Sequence, residues 1–254
     1  MKDPKALAYV NAYGVLACLE NMCELDAEAK AICAKIKKPV GLCFEVTDGP
    51  CVTYTFSKDG CKMTEGDAAA TCKMKFASPE KFNALIDEGK PGMPVQNPVQ
   101  CLTFLLTTFT KLTDKMSAYL QPEESALKDK DFFRMNTILT FYVISGAICA
   151  LGNNDEISKL SASYMPNGAV EWGIKDVCYA SVYVNNGVLT LDKNTCPNPR
   201  AKMAFNSIEL ANGLFNGTVS TIAELCAGNI QMSGMINMVD NLNRILDRVA
   251  VYLG

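Results

Sequence analysis

The stretch that decides the fold is Gly228–Gly254, GNIQMSGMINMVDNLNRILDRVAVYLG. Ile230 and Met232 alternate with Asn229 and Gln231, which predicts a short strand with one buried face. Ser233-Gly234 breaks it. From Met235 the apolar residues recur at helical spacing (Met235, Met238, Val239, Leu242, Ile245, Leu246, Val249, Leu253), while Asp240, Asn243, Arg244, Asp247 and Arg248 take the other face. A strand therefore delivers the chain into an amphipathic helix, and that helix must cover something apolar. Beneath it lies an ordinary core or a cavity for an apolar ligand.

Working outward, the elements recur. Leu7–Ile36 reads as helix, followed by strands over Gly41–Thr47, Val52–Phe56, Cys61–Met63 and Thr71–Phe76, with Asp59-Gly60 as a hairpin turn. Ser78-Pro79-Glu80 opens a helix, with Ser78 as N-cap and Pro79 at the first position. Gly89–Pro98 reads as a Pro-rich loop and Cys101–Leu120 as a second amphipathic helix. After the polar hinge Gln121–Lys130 the order returns. Phe132–Leu151 is a helix, Ala169–Ile174, Tyr179–Tyr183, Val188–Leu191 and Lys202–Phe205 are strands, and Ser207–Phe215 is a helix. CKMKFASPEKFNALI (72–86) aligns with AKMAFNSIELANGLF (201–215) without a gap, and TDKMSAYL (113–120) with LDRVAVYL (246–253). The spacing fits an internal duplication. Phe132–Leu151 is long enough to be weighed as a membrane span. Arg134, Asn136, Thr137 and Thr140 in its first half favour a buried helix, so no integral span is expected.

Composition narrows the chemistry. The chain has 254 residues and a net charge of −3, and neither half carries a basic block, so nucleic acid is not an expected partner. It has no histidine, which removes histidine triads, histidine bases and most zinc enzymes. None of its 12 cysteines is spaced C-x-x-C, so metal-binding spacings are absent. The N-terminus has no signal-peptide pattern. The cysteines read as free, buried and small in a reducing, cytoplasmic setting. Glu123-Glu124 and Asp155-Glu156 are adjacent carboxylates in polar connections and read as solvated charge. No phosphate-loop pattern is present, and no metal or cofactor is expected. Trp172, the sole tryptophan, lies in a strand beside Ile174 and reads as core.

Three stretches resemble the sterol carrier protein family of type-two lipid-binding domains. KMAFNSIELANGL (202–214) resembles its strand and short helix, GNIQMSG (228–234) its last strand, and CKMKFASPEKFNALI (72–86) the same strand and helix in the first half. The final amphipathic helix follows in order. The resemblance implies an α+β fold of two tandem units, each an antiparallel sheet covered by helices: residues 1–121, a linker at 122–128, and residues 129–254. In the first unit a Pro-rich loop replaces the last strand, so that copy looks degenerate. The resemblance further implies non-catalytic binding or transport of an apolar molecule (fatty acyl, sterol or other lipid) in a hydrophobic tunnel between sheet and helices. The expected lining in the second unit is Phe205, Leu210, Leu214, Phe215, Ile222, Leu225, Met232, Met235, Met238 and Leu242. Its counterparts in the first unit are Phe82, Ile86, Leu105 and Phe109, with Phe76, Leu85, Met93 and Met116 beside them. The alternative is an interaction or dimerisation module with a filled core and no ligand, its apolar helices packing unit against unit or, as a homodimer, chain against chain. An enzyme acting through a cysteine or carboxylate ranks third.

Overall fold

The structure is a computed structural model that describes residues 2–88, 95–96 and 98–254. The chain is α+β and divides into two compact units, Met1–Ser125 and Ala126–Gly254. The residues expected to link two domains, 122–128, straddle this division, with Ala126–Lys128 forming a short 3-10 turn.

The first unit begins with α1 (Pro4–Val10), a π turn (Asn11–Leu16), α2 (Cys18–Leu25) and α3 (Ala27–Cys33). The sheet strands are β1 (Val40–Val46), β2 (Cys51–Ser57), β3 (Gly60–Glu65), β4 (Cys72–Phe76) and β5 (Val95–Gln96). Helix α4 (Pro79–Glu88) follows β4. Helix α5 (Pro98–Phe104), a π turn (Leu105–Phe109) and α6 (Thr110–Leu120) close the unit. The second unit runs α7 (Lys130–Asn154), α8 (Glu156–Ser163), β6 (Gly168–Ile174), β7 (Cys178–Asn185), β8 (Val188–Asp192), β9 (Ala201–Phe205), α9 (Ile208–Phe215), α10 (Thr221–Cys226), β10 (Ile230–Gly234) and α11 (Ile236–Leu253).

Four helices start at an aspartate whose carboxylate accepts a backbone N–H of the first turn: Asp3, Asp26, Asp129 and Asp155. The two sheets have equivalent orders, β3-β2-β1-β4-β5 and β8-β7-β6-β9-β10. Each sheet is mixed, which corrects the antiparallel expectation. After the three-stranded meander the chain crosses to the far side of the first strand, so β4 runs parallel to β1 and β9 parallel to β6. A hydroxyl on the second strand ties each crossover down: Thr53 donates to the carbonyl of Gly66 (2.7 Å) and Ser181 to that of Asn194 (2.8 Å). The β7–β8 turn uses Asn186 (φ 50°) and Gly187 (φ 78°), the paired left-handed geometry of a tight hairpin.

A second correction concerns the last strand of the first unit. Val95–Gln96 lies inside the expected Pro-rich loop yet pairs with β4, Met74 opposite Val95 and Lys73 opposite Gln96. Residues 89–94 and 97 of that loop, Met93 among them, lie outside the described residues. Helix α7 is the one helix among the described residues long and apolar enough to cross a membrane, and 83% of its most apolar window is buried inside the structure. It contacts α8, α9, α11, β7 and β8.

Candidate functional site

Helix α11 is where the amphipathic pattern becomes geometry. Met238, Leu242 and Ile245 are fully buried, and Val249 and Tyr252 nearly so. Asp240 and Arg244 pair on the outer face at 3.1 Å. The inner face contacts α7, α8 and β9. The strand before it, β10, pairs antiparallel with β9 and ends at Gly234, whose φ is +86°. A side chain there would be strained and would also meet the backbone of Arg200, so only glycine fits.

The C-terminal end of α11 is pinned by a buried carboxylate. Asp155 is 4% exposed and accepts from Arg248 Nη2 (3.0 Å) and Nε (3.2 Å), Tyr252 Oη (2.9 Å), and the backbone N–H (3.0 Å) and hydroxyl (2.9 Å) of Ser158. Burial alone would raise its pKa. The hydrogen bonds from Arg248, Ser158 and Tyr252 outweigh this and hold it down at about 2. The first unit repeats the device at Asp26, which accepts from Tyr119 Oη (2.8 Å) and the Ala29 N–H (2.7 Å), with Lys115 at 3.3 Å. Burial again opposes, and these partners win, so Asp26 is also held below the usual carboxylate range. The aligned stretches 113–120 and 246–253 thus keep Lys115/Arg248 and Tyr119/Tyr252 because each pair clamps the last helix onto an N-cap aspartate. This corrects the reading of Asp155 as solvated loop charge. Glu123, Glu124 and Glu156 are exposed.

The expected lining residues fall into three groups. Phe205, Met238, Leu242, Phe82 and Leu105 are buried. Leu210, Leu214, Phe215, Met232, Met235, Ile86 and Phe109 are half-buried. Ile222 and Leu225, expected on an inner wall, are instead 75% and 42% exposed. They lie on α10, which has no buried residue, and Ile236 at the start of α11 is 82% exposed.

The two cores are filled differently. In the first unit Phe44, Tyr54, Phe56, Phe76, Phe82, Phe104 and Phe109 form one network of ring contacts, with centroids 5.2 to 6.4 Å apart. Strand register and the ungapped alignment place Trp172 at the position of Phe44, Val182 at Tyr54, Val184 at Phe56, Phe205 at Phe76 and Ala211 at Phe82. Continuing the helix alignment one turn back puts Leu242 at Phe109. Helix α7 returns one ring, Phe141, whose centroid lies 4.5 Å from that of Trp172.

Buried polar groups tie helices together in both cores. Asn212 on α9 donates to Asn136 Oδ1 and Thr137 Oγ1 on α7, both at 2.9 Å. Its repeat partner Asn83 accepts from Asn11 and donates to the Pro4 carbonyl. These asparagines sew the short helix of each unit to its first helix, a role no local motif announced. Among the described residues two buried side-chain polar atoms lack a hydrogen-bond partner. One is Glu45 Oε2, in ion-pair contact with Lys73; the other is Trp172 Nε1. Leaving such an N–H unpaired costs about 1–3 kcal/mol.

No cluster of histidine, cysteine or carboxylate side chains suited to a metal occurs among the described residues. Cys72 and Cys101 form a disulfide, Cα atoms 5.8 Å apart, which corrects the expectation that every thiol is free. Burial pushes the thiols of Cys149 and Cys178 up to about 12, away from nucleophilic use.

No protein-family model matches the chain, and a search of curated proteins gives no match. Solved structures similar to it include the UbiJ-SCP2 ubiquinone synthesis protein, with TM-score 0.33 and 11% identity over 42% of this chain and 88% of that one. Sterol carrier protein 2 like 2 from Aedes aegypti has TM-score 0.34 and 18% identity over 43% and 95%. Sterol carrier protein domain 2 of Helicoverpa armigera has TM-score 0.35 and 14% identity over 44% and 89%.

Proposed function

We propose that the chain is a tandem pair of sterol-carrier-like units and that the second binds an apolar molecule between its sheet and helices, without covalent chemistry. The observation that carries this is the segment from α9 to the start of α11. It holds the half-buried Leu214, Phe215, Met232 and Met235 beside the exposed Ile222, Leu225 and Ile236. Full burial of such a side chain is worth about 1.5–3 kcal/mol, most of which Ile222 and Ile236 and part of which Leu225 forgo, so the fold does not use these residues fully for its own core. They form the rim through which a greasy ligand passes to the inner face of α11. Flexible methionines at the strand-to-helix junction adapt to several ligand shapes.

A second reading, the interaction module, draws on another surface. Ile157, Leu160 and Tyr164, along and just beyond α8, are 57%, 56% and 61% exposed. Native mass spectrometry of the purified protein, followed by organic extraction, separates the two. A fatty acid, sterol or isoprenoid in stoichiometric amount supports the carrier. A ligand-free dimer that takes up neither added fatty acid nor sterol supports the module and sinks the carrier.

A further inference from the structure

We propose that Trp172 is the ligand-anchoring donor of the second unit, and that the ligand is an apolar molecule with one oxygen acceptor (hydroxyl, carbonyl or carboxylate) buried against the indole N–H. This inference rests on the carrier reading above. Trp172 stands in the middle of β6, opposite Met203 on one side and Ala180 on the other, with no exposed surface. An indole nitrogen can only donate, and here it has nothing to donate to. Buried polar groups are almost always paired, so an unpaired one calls for a partner the fold itself does not supply.

The first unit sharpens the point. At the same register position it has Phe44, which carries no polar atom and is packed against Tyr54, Phe76, Phe82 and Phe109. The second unit thus differs in two linked ways: it has a donor, and it has Ala211, Val182 and Leu242 where the first unit has rings. A line of aromatic side chains leads inward to that donor. Half-buried Phe215 on α9 lies 5.9 Å from Phe205, and Phe205 lies 6.2 Å from Trp172. An acyl or ring system that follows this line brings an oxygen to the indole while its apolar body replaces the missing rings. The first unit offers neither feature and holds no ligand.

The test uses the full chain and its single tryptophan. Oleyl alcohol and 1-octadecene, alike in length but differing in the acceptor, are titrated while native mass spectrometry counts bound molecules and tryptophan emission is followed. The expected result is one oleyl alcohol per chain, with a saturable change in emission. Trp172→Phe copies the residue that the first unit tolerates. It should weaken oleyl alcohol by about threefold to tenfold, the loss of one hydrogen bond, and leave 1-octadecene unchanged. If both probes bind the variant as they bind the parent by native mass spectrometry, or bind the parent without touching its tryptophan emission, the anchoring role is overturned and the carrier reading survives. Two molecules per chain would overturn the restriction to the second unit. Failure of both probes to bind at all would sink the carrier reading together with this one.

Discussion

Asp155 shows how much a single residue can hide. Its partners Arg248 and Tyr252 lie 93 and 97 positions away, and the one local sign, Ser158 three residues on, marks a helix N-cap but not a buried carboxylate. Only the alignment of TDKMSAYL with LDRVAVYL kept a trace, a basic residue and a tyrosine four apart in both copies. Asp155→Asn should destabilise the protein by about 3 kcal/mol in urea unfolding, because it leaves Arg248 without its charge partner. Asp26→Asn should cost less, since Lys115 makes a single, longer contact at 3.3 Å. Equal losses would argue against the clamp. The pH dependence has a definite sign. The folded pKa of Asp155 is depressed to about 2, so its contribution is present above the ordinary unfolded value of about 4 and fades as the pH falls from there through 2. An acid titration of stability in the parent and in Asp155→Asn should therefore converge toward pH 2. The cysteines illustrate the same limit. Cys72 and Cys101 are 29 residues apart, and no spacing rule pairs them. Alkylation of the denatured, unreduced protein should count ten free thiols, not twelve.

Elements with a strong period were legible, and those without one were not. The 3.6-residue pattern of α11 and the alternation of β10 could be read directly, because one buried face imposes each period. Helix α8 and α10 were missed. Helix α8 is only 8 residues long and α10 only 6, too short for a pattern to stand out. The π turns at Asn11–Leu16 and Leu105–Phe109 leave no compositional mark, since an i→i+5 bond uses the same residues as an α-helix. Strand β5 was obscured by the prolines and glycines around it. At this scale the prediction concerns the two faces of α11. Leu242→Ala should cost about 2–5 kcal/mol and weaken retention of an apolar probe, because the side chain is fully buried. Asp240→Asn removes one exposed pair with Arg244 and should stay within about 0.5 kcal/mol, with retention unchanged. Matching effects from the two substitutions would contradict the assignment of an inner and an outer face.

For the whole molecule, the ungapped match of 72–86 with 201–215 was legible in the sequence, and both stretches fold as strand and helix. What the alignment could not show is which aligned residues meet. Phe82 and Ala211 are both fully buried at equivalent positions, yet the first sits among aromatic rings and the second faces a core with fewer of them. The two sheets thus differ in ring content, the contrast on which the proposed ligand site of the second unit rests. The contrast predicts opposite responses to exchanging these residues. Phe82→Ala opens a void in a packed core and should cost about 3–5 kcal/mol without altering ligand uptake by the chain. Ala211→Phe places a ring where the second unit is proposed to hold its ligand. It should keep the melting temperature close to that of the ligand-free parent while abolishing uptake of oleyl alcohol. A core already filled responds differently, since overpacking by a whole ring costs about 1–3 kcal/mol and forces neighbours off their rotamers. A large fall in melting temperature in Ala211→Phe, with uptake preserved, would therefore place the ligand elsewhere and make the second unit as solid as the first.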